Sequence, residues 1–308
     1  MALTKAQFRT RVREMIGDPL RVSGTATGGS LTTILDTSKL NQADNFWTKL
    51  QAFIVTTTNG AAPQGEAKRI AASSGSNYRV TVEIPFSATV ESGDTYGIAI
   101  FSNAYLDNLI ANTLLEFSEY RPVKFSESLS VGGGEKRYSP TSAATIRYVT
   151  KIEEYSAAAR KDIVYRNWVW NDDTKKIEFS DWQTTAKTLT LYAAKSHTLP
   201  SGESDALTYE AVDEANLLLW CAANAIIALS EQQAHDAFGN IRPNSITRGP
   251  ISEVYGDQRE KIVAAQRDVI AKIKEQYTVA SSSFSTTLRL YPGMNQHGID
   301  RSAIWLNH

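Results

Sequence analysis

The segment TTTNGAAPQGEAKRIAASSGSNYRVTVEIPF, residues 56–86, decides how this chain is organised, because it turns a chain that begins as a helix into a sheet. Its last part, YRVTVEIPF, alternates apolar and polar side chains, which predicts a strand with one buried face. That face would consist of Tyr78, Val80, Val82, Ile84 and Phe86. Glycines at 60, 65 and 75 mark turns. Together with the strands TKLQAFIVTT and TYGIAIF, it predicts a small antiparallel β module over residues 20–101.

A helix over residues 4–16 precedes this module. Thr4 and Gln7 have the spacing of a capping box, and Gly17 follows the last turn. The apolar face would consist of Phe8, Val12, Met15 and Ile16, and the solvent face of Arg9, Arg11, Arg13 and Glu14. The segment SNAYLDNLIANTLLEFSEYRP, residues 102–122, predicts a second helix directly after the module.

The second half of the chain repeats the order of a β region followed by helices. Residues 123–143 are interpreted as a loop around VGGGEKRYSP. A strand ATIRYVTKIEEY, a hairpin DIVYRNWVW–NDDT–KKIEFSDW and a strand TLTLYAAKSH follow. The first strand is predicted from the alternation of Ile146, Tyr148, Thr150 and Ile152, and the last from Leu189, Leu191 and Ala193. Apolar periodicity then predicts helices over 208–233 and 251–277. The first would have one apolar stripe of Val212, Ala215, Leu218, Ala222, Ile226 and Leu229, and a second apolar side of Leu217, Trp220 and Ile227. The stripe of the second would consist of Ile262, Val263, Ala265, Val269, Ile270 and Ile273.

These elements predict an α+β fold, with a helical body, inserted antiparallel β modules and an extended C-terminal tail. The predicted parts are 1–19 with 102–122 as the first part of the helical body, 20–101 as an inserted β module, 123–205 as a loop and second β module, 206–278 as the second part of the helical body, and 279–308 as a docking tail.

The composition of the chain excludes several classes of protein. The net charge of -1 in 308 residues argues against a protein that mainly grips nucleic acid, because phosphate binding is mostly electrostatic. The single cysteine, Cys221, excludes an internal disulfide and is interpreted as a buried apolar residue. The N-terminus has no apolar signal segment, so we expect synthesis in a cytoplasm. The apolar run at 217–229 is shorter than the about 20 residues of a membrane span, so no membrane contact is predicted.

No catalytic or metal-binding pattern is recognised. None of the four histidines, at 197, 235, 297 and 308, has a second ligand at metal spacing, and VGGGEK lacks the spacing of a phosphate loop. We therefore expect no enzyme, no cofactor and no metal. The remaining candidates are contact residues. For a partner or neighbouring subunit, the tail offers Leu288, Leu290, Tyr291, Ile304, Trp305 and Leu306. The alternative is that the tail packs back on its own domain. For subunit packing, the late helices offer Leu217, Trp220, Ile227, Ile262 and Val269.

Four stretches resemble head-to-tail adaptor (connector or neck) proteins of tailed bacteriophages. FRTRVREMIGDP is similar to their opening helix, and LDNLIANTLLEFSEYRP to their second helix. TYEAVDEANLLLWCAANAIIAL is similar to their late helix. The segment from TTTNG to GDTYGI is similar to a module common in phage virion chains. The resemblance is weak over 123–205, and the chain is longer than a minimal adaptor.

The resemblance implies a structural virion protein with no catalytic residue. It would form a ring of about twelve copies beneath the portal protein, joining capsid to tail. Its partners would be the portal, the next neck or tail protein and itself. DNA would pass through the lumen without sequence-specific binding.

Two alternatives remain open from the residues. The β modules also suit a tail terminator, a tail-completion protein or another structural protein of the tail. Trp168, Trp170 and Trp182 would suit a carbohydrate-binding accessory protein.

Overall fold

The computed structural model describes residues 2–18, 21–156, 161–165, 167–238 and 250–283. The chain divides into two compact units. The first consists of Met1–Thr113 with Leu199–Ile270, and the second of Leu114–Thr198 with the segment that begins at Ala271.

Sheets, not helices, dominate the fold, so the predicted helical body is wrong. Strands hold 33% of the chain and helices 29%. The described strands form sheets of seven, four and three strands, and every recorded pairing is antiparallel. The prediction gave the helices too much weight because several strands of the second half were interpreted as loop.

The first unit combines helices with the seven-stranded sheet. Its elements are α1 (Lys5–Met15), β1 (Val22–Thr25), β2 (Gly28–Gly29), β3 (Thr33–Leu35), β4 (Gln51–Thr56), β5 (Ala67–Ser74), β6 (Arg79–Val82), β7 (Thr95–Ala99), the first part of α2 (Asn103–Phe117), a 3₁₀ turn (Ala211–Asp213), α3 (Glu214–Phe238) and the first part of α4 (Pro250–Ser283). The strand order is β1-β7-β4-β5-β6-β3-β2. Its core includes Ile34, Ile54, Ile70, Val80, Tyr96 and Ile98.

The strand predicted at 78–86 is only partly correct. Regular pairing is confined to β6, where Val80 and Val82 are buried. Tyr78 has a φ of 50° and is 40% exposed, and Ile84 is 65% exposed. The alternation therefore does not carry through the ends of the segment, because a turn precedes the strand and the chain leaves the sheet after it.

Helix α1 confirms the capping box but corrects its polar face. Thr4 Oγ1 accepts from the Gln7 backbone N–H, and the Gln7 side chain accepts from the Thr4 N–H. Arg9 and Arg13, predicted to face solvent, are 7% and 4% exposed. Only Arg11 and Glu14 of that set are exposed.

The second unit holds the other two sheets. Its strands are β8 (Val123–Val131), β9 (Glu135–Tyr138), β10 (Ile146–Ser156), β11 (Lys161–Val164), β12 (Trp168–Asn171), β13 (Lys176–Gln183) and β14 (Lys187–Lys195). Strand order is β11-β10-β14-β8 in one sheet and β12-β13-β9 in the other. The shared core includes Leu129, Val149, Ile152, Ile177, Phe179, Leu189 and Leu191.

Three local predictions change in this unit. Most of the predicted loop at 123–143 is strand β8, a glycine turn and strand β9. In β10, shifts in register place Val149 in the core and leave Tyr148 40% exposed, so the predicted alternation of Ile146, Tyr148, Thr150 and Ile152 is broken. The predicted hairpin is confirmed for β12 and β13, whereas β11 pairs with β10 in the other sheet.

The turn between β8 and β9 needs glycine for two reasons. Gly132 has a φ of +145°, and a Cβ there would lie 2.7 Å from the Ala186 Cα. Gly133 and Gly134 also have positive φ values. The Tyr138 hydroxyl accepts from the Gly132 N–H and fixes the turn.

Candidate interaction surfaces

A buried ion pair closes the end of α1. Arg13 Nη1 donates to Asp18 Oδ2 over 2.8 Å. Asp18 also accepts from the backbone N–H groups of Ile100 and Phe101, at 2.8 and 3.0 Å. Arg13 Nη2 donates to the Phe101 carbonyl over 2.7 Å. The pair therefore joins the end of α1 to the segment between β7 and α2.

Burial is the largest influence on the protonation of both groups. It lowers the pKa of Arg13, against the attraction of Asp18. It raises the pKa of Asp18, although the N–H groups of Ile100 and Phe101 and the charge of Arg13 oppose the rise. The pair is structural, because its hydrogen bonds all go to groups of the same unit.

A second ionic cluster lines a shallow cleft of about 180 Å³ beside α1. Arg9 Nη1 donates to Asp107 Oδ1 over 2.7 Å, and Arg9 also pairs with Glu203. Lys5 Nζ lies 3.3 Å from Asp107 Oδ2 and 3.5 Å from Glu203 Oε1. The two cations are thus matched by two carboxylates of the same unit, so the cleft presents no excess charge from this cluster to a ligand.

Helix α3 is apolar around most of its circumference. The stretch Ala211–Ser230 has a mean hydropathy of 1.4 and is, within the described residues, long and apolar enough to cross a membrane. This is weak support for a membrane span, since core helices of soluble proteins meet the same criterion. In the most apolar part of this stretch, only 44% is buried. A helix of this composition normally buries most of its sides.

Three exposed apolar residues lie at the beginning of this stretch. Val212, in the 3₁₀ turn before α3, is 75% exposed, and α3 itself exposes Ala215 and Leu219, the latter by 41%. Ala215 and Leu219 are four residues apart and share one side of α3, and Val212 precedes Ala215 by three residues. We call Val212, Ala215 and Leu219 the α3 ridge.

The residues predicted for subunit packing lie in different environments. Leu217 and Trp220 are fully buried within the chain, so they are not on a surface that a neighbouring copy can contact. Ile227 and Val269 are partly buried, and Ile262 is 45% exposed. Sequence reasoning missed Leu219. The signal was available, because three consecutive leucines at 217–219 cannot all face one side of a helix.

A second candidate surface for packing between subunits lies on α4. Its apolar stripe was predicted from Ile262, Val263, Val269, Ile270 and Ile273, among others. Of these, Ile273 is buried, whereas Ile262 is largely exposed and the other three are partly buried. The predicted docking residues Leu288, Leu290, Tyr291, Ile304, Trp305 and Leu306 lie outside the described residues.

The three tryptophans of the carbohydrate hypothesis do not share one exposed face. Trp168 and Trp170 pack against the core of the second unit. Trp182 is 63% exposed, with Lys136 Nζ 5.4 Å from its ring centroid. A single exposed ring gives a sugar little stacking surface, so this hypothesis loses two of its three residues.

The remaining reactive groups are enclosed. Burial raises the pKa of Cys221 to about 12, so its thiol stays protonated near neutral pH. His197 is 5% exposed, and its Nε2 lies 2.6 Å from the Arg121 carbonyl oxygen. Within the part of the chain that the structure describes, no group of three or more His, Cys, Asp or Glu side chains could hold a metal ion.

Comparison with known proteins gives no family. No protein-family model matches this chain, and no curated protein matches it.

Proposed function

We propose that this chain is a structural subunit of the bacteriophage neck, assembling into a ring that joins the portal to the tail and lets DNA pass. The observation that carries the proposal is the α3 ridge, an exposed apolar surface at the beginning of α3, an apolar helix of which less than half is buried in its most apolar part. Exposed apolar surface of this kind suits a subunit that buries it against a neighbouring copy. The assignment to the neck, rather than to another assembly, rests on the four stretches that resemble head-to-tail adaptors.

The remaining features fit a ring subunit. The cations and carboxylates beside α1 satisfy one another, and the near-zero net charge suits a channel through which DNA slides. The tail anchors, from Leu288 to Leu306, would contact the portal. The proposed role is structural and includes no cofactor and no catalysis.

A second structural role is favoured by one observation. Residues in strands outnumber residues in helices, whereas a minimal adaptor is mainly helical. A tail terminator or tail-completion protein is therefore the alternative. Symmetry separates the two, because tail components usually follow threefold or sixfold order and an adaptor ring is expected to have about twelve copies.

The direct test is localisation in intact particles by cryo-electron microscopy. The proposal expects a ring of density between portal and tail, with the α3 ridge at the contact between copies. Density along the tail or at its tip would favour the alternative. Absence from particles would exclude a virion role altogether.

A matched pair of variants tests the surface. Leu219→Glu places a charge on the α3 ridge and is expected to reduce incorporation into particles at least about tenfold, since burying an unpaired charge is costly. Val169→Glu is the control, because Val169 is 66% exposed on strand β12 of the second unit, away from α3 in the sequence. Equal incorporation of both variants would remove the α3 ridge from the assembly contact.

Truncation after residue 280 tests the docking role of the tail. It is expected to abolish portal binding while leaving the fold, and undiminished binding would contradict the docking role of the tail.

A further inference from the structure

Strand β8 forms an open edge of the four-stranded sheet. It pairs with β14 over nine consecutive residue pairs, from Val123↔Lys195 to Val131↔Lys187, without a shift in register. No strand among the described residues pairs with its other side. In an antiparallel strand, alternate residues direct their N–H and C=O groups away from the partner, so about four residues of β8 present unpaired backbone groups.

This edge lacks most of the devices that normally protect one. Edge strands are commonly short, bulged, interrupted by proline or rich in charge. Strand β8 is nine residues long, has no proline and has no bulge against β14. Its exposed residues are Lys124, Ser126, Ser128 and Ser130. A long, regular edge with a face of small polar residues is suited to accept another strand.

The C-terminal part of α4 lies close to the start of β8. The Tyr277 ring lies 5.4 Å from the Phe117 ring, and the Arg121 guanidinium lies 5.4 Å from the Tyr277 ring centroid. Lys274 Nζ lies 3.2 Å from Glu116 Oε1. Arg121 is two residues before the first residue of β8. The chain therefore passes close to the start of β8 shortly before α4 ends.

The sequence that follows α4 has the pattern of a strand. Residues 286–291, TTLRLY, are rich in β-branched, aliphatic and aromatic side chains, and Pro292 and Gly293 follow directly. Leu288 and Leu290 would share one face, with Thr287 and Arg289 on the other. Six residues extend about 20 Å as a strand, which fits within the about 30 Å of β8.

We propose that residues 286–291 add to the open edge of β8 in the same chain. Leu288 and Leu290 would then extend the apolar face formed by Phe125, Leu129 and Val131, and Thr287 and Arg289 would join the serine face. In the isolated protein this pairing covers the edge and withholds the tail from other chains. The inference goes beyond the proposed function and does not depend on it, since it concerns the isolated protein.

Disulfide trapping in the purified full-length protein tests the contact. Ser126, Ser128 and Ser130 are each changed to cysteine in combination with Thr287→Cys or Arg289→Cys. The native Cys221 is fully buried and does not compete. The proposal expects a disulfide within one chain for at least one combination, read by non-reducing electrophoresis and peptide mapping.

Two controls define the geometry. Ser180→Cys with Arg289→Cys pairs the tail with an exposed residue of the other sheet in the same unit and is expected to give no disulfide. Ser128→Cys with Leu288→Cys places the thiols on opposite faces and is expected to give none. Disulfides in the controls at the same yield, disulfides only between chains, or no disulfide in any combination would each overturn the proposal.

Hydrogen exchange provides the second, independent readout. Leu288→Pro removes a backbone donor and disfavours a strand, whereas Leu288→Val is the matched control that keeps strand propensity. The proposal requires β8 amides to exchange at least about tenfold faster in Leu288→Pro than in the wild-type chain, with Leu288→Val unchanged. Equal β8 exchange in all three proteins would overturn it.

Discussion

Helices α1 and α3 belong to the same unit and distribute their side chains in opposite ways. Helix α1 buries two arginines, Arg9 and Arg13, whereas α3 exposes Leu219 and the 3₁₀ turn before it exposes Val212. The difference shows that the polarity of a residue does not by itself fix its burial. Arginines are buried where carboxylates and carbonyl groups of the same unit receive them. Val212 and Leu219 remain exposed in the part of the chain that the structure describes, and the proposal assigns them to a contact with a neighbouring copy.

The buried pair of α1 should give the largest effect on stability. Asp18→Ala leaves the Arg13 charge and the N–H groups of Ile100 and Phe101 buried without their acceptor. We expect the free energy of unfolding to fall by about 3–5 kcal/mol, measured by urea denaturation. Glu14→Ala, an exposed change on the same helix, should stay within about 0.5 kcal/mol. Comparable small losses for both variants would show that the pair contributes little.

Two leucines of α3, two positions apart, test the other side of the comparison. Leu217 is fully buried and Leu219 is 41% exposed. Leu217→Ala should lower the free energy of unfolding of the isolated protein by about 2–5 kcal/mol, because it leaves a cavity. Leu219→Ala should change it by less than about 1 kcal/mol. If Leu219→Ala were as destabilising in the isolated protein, the α3 ridge would be a core surface and the assembly argument would fail.

Two buried carboxylates, Asp18 and Asp36, have pKa values shifted in opposite directions, so the dependence of stability on pH tests what surrounds each of them. Burial raises the pKa of Asp18. Burial also acts to raise the pKa of Asp36, but hydrogen bonds from Ser38, Tyr96 and the Lys39 N–H outweigh it, so the pKa of Asp36 lies below its ordinary value. Asp36 therefore stabilises the fold above its unfolded-state pKa, and this contribution disappears as the pH falls through the folded-state pKa. Asp18 has the opposite sign, with its contribution greatest below its unfolded-state pKa and declining as the pH rises through the folded-state pKa.

The smallest expected effect is therefore a change in the slope of the free energy of unfolding against pH. Asp36→Asn should make the loss of stability below about pH 5 shallower, whereas Asp18→Asn should leave it unchanged or steeper. Urea denaturation at a series of pH values measures both slopes. A shallower slope for Asp18→Asn would show that hydrogen bonds, not burial, control the pKa of Asp18.

The elements that were predicted correctly are those whose local sequence pattern matches the burial of their side chains in the fold. The capping box of Thr4 and Gln7, the apolar stripe of α2 and the alternation of Leu189, Leu191 and Ala193 in β14 are all confirmed. These patterns depend on residues that are close in the sequence. The helices of the chain were therefore predicted individually, although their share of the fold was overestimated.

The predictions fail where residues that are distant in the sequence determine which side chains are buried. Arg13 is buried because Asp18 and the Phe101 carbonyl lie around it, and helical periodicity cannot show this. Strand β8 was interpreted as loop because three glycines follow it, although Phe125, Leu129 and Val131 already alternate with polar residues. The α3 ridge was missed because Val212 and Ala215 also fit an apolar stripe that was predicted to be buried, and Leu219 was assigned to neither predicted stripe.

The last turns of α4 have a consequence for how this protein can vary in evolution. Ile273 and Tyr277, one helical turn apart, are both buried in the second unit. At about 100° per residue, inserting or deleting a single residue between them would turn one of the two side chains by more than a quarter of a circle relative to the other. Either Ile273 or the Tyr277 contact with Phe117 and Arg121 would then lose its place. Changes of length should therefore be excluded from this turn of the helix, even where single substitutions are accepted.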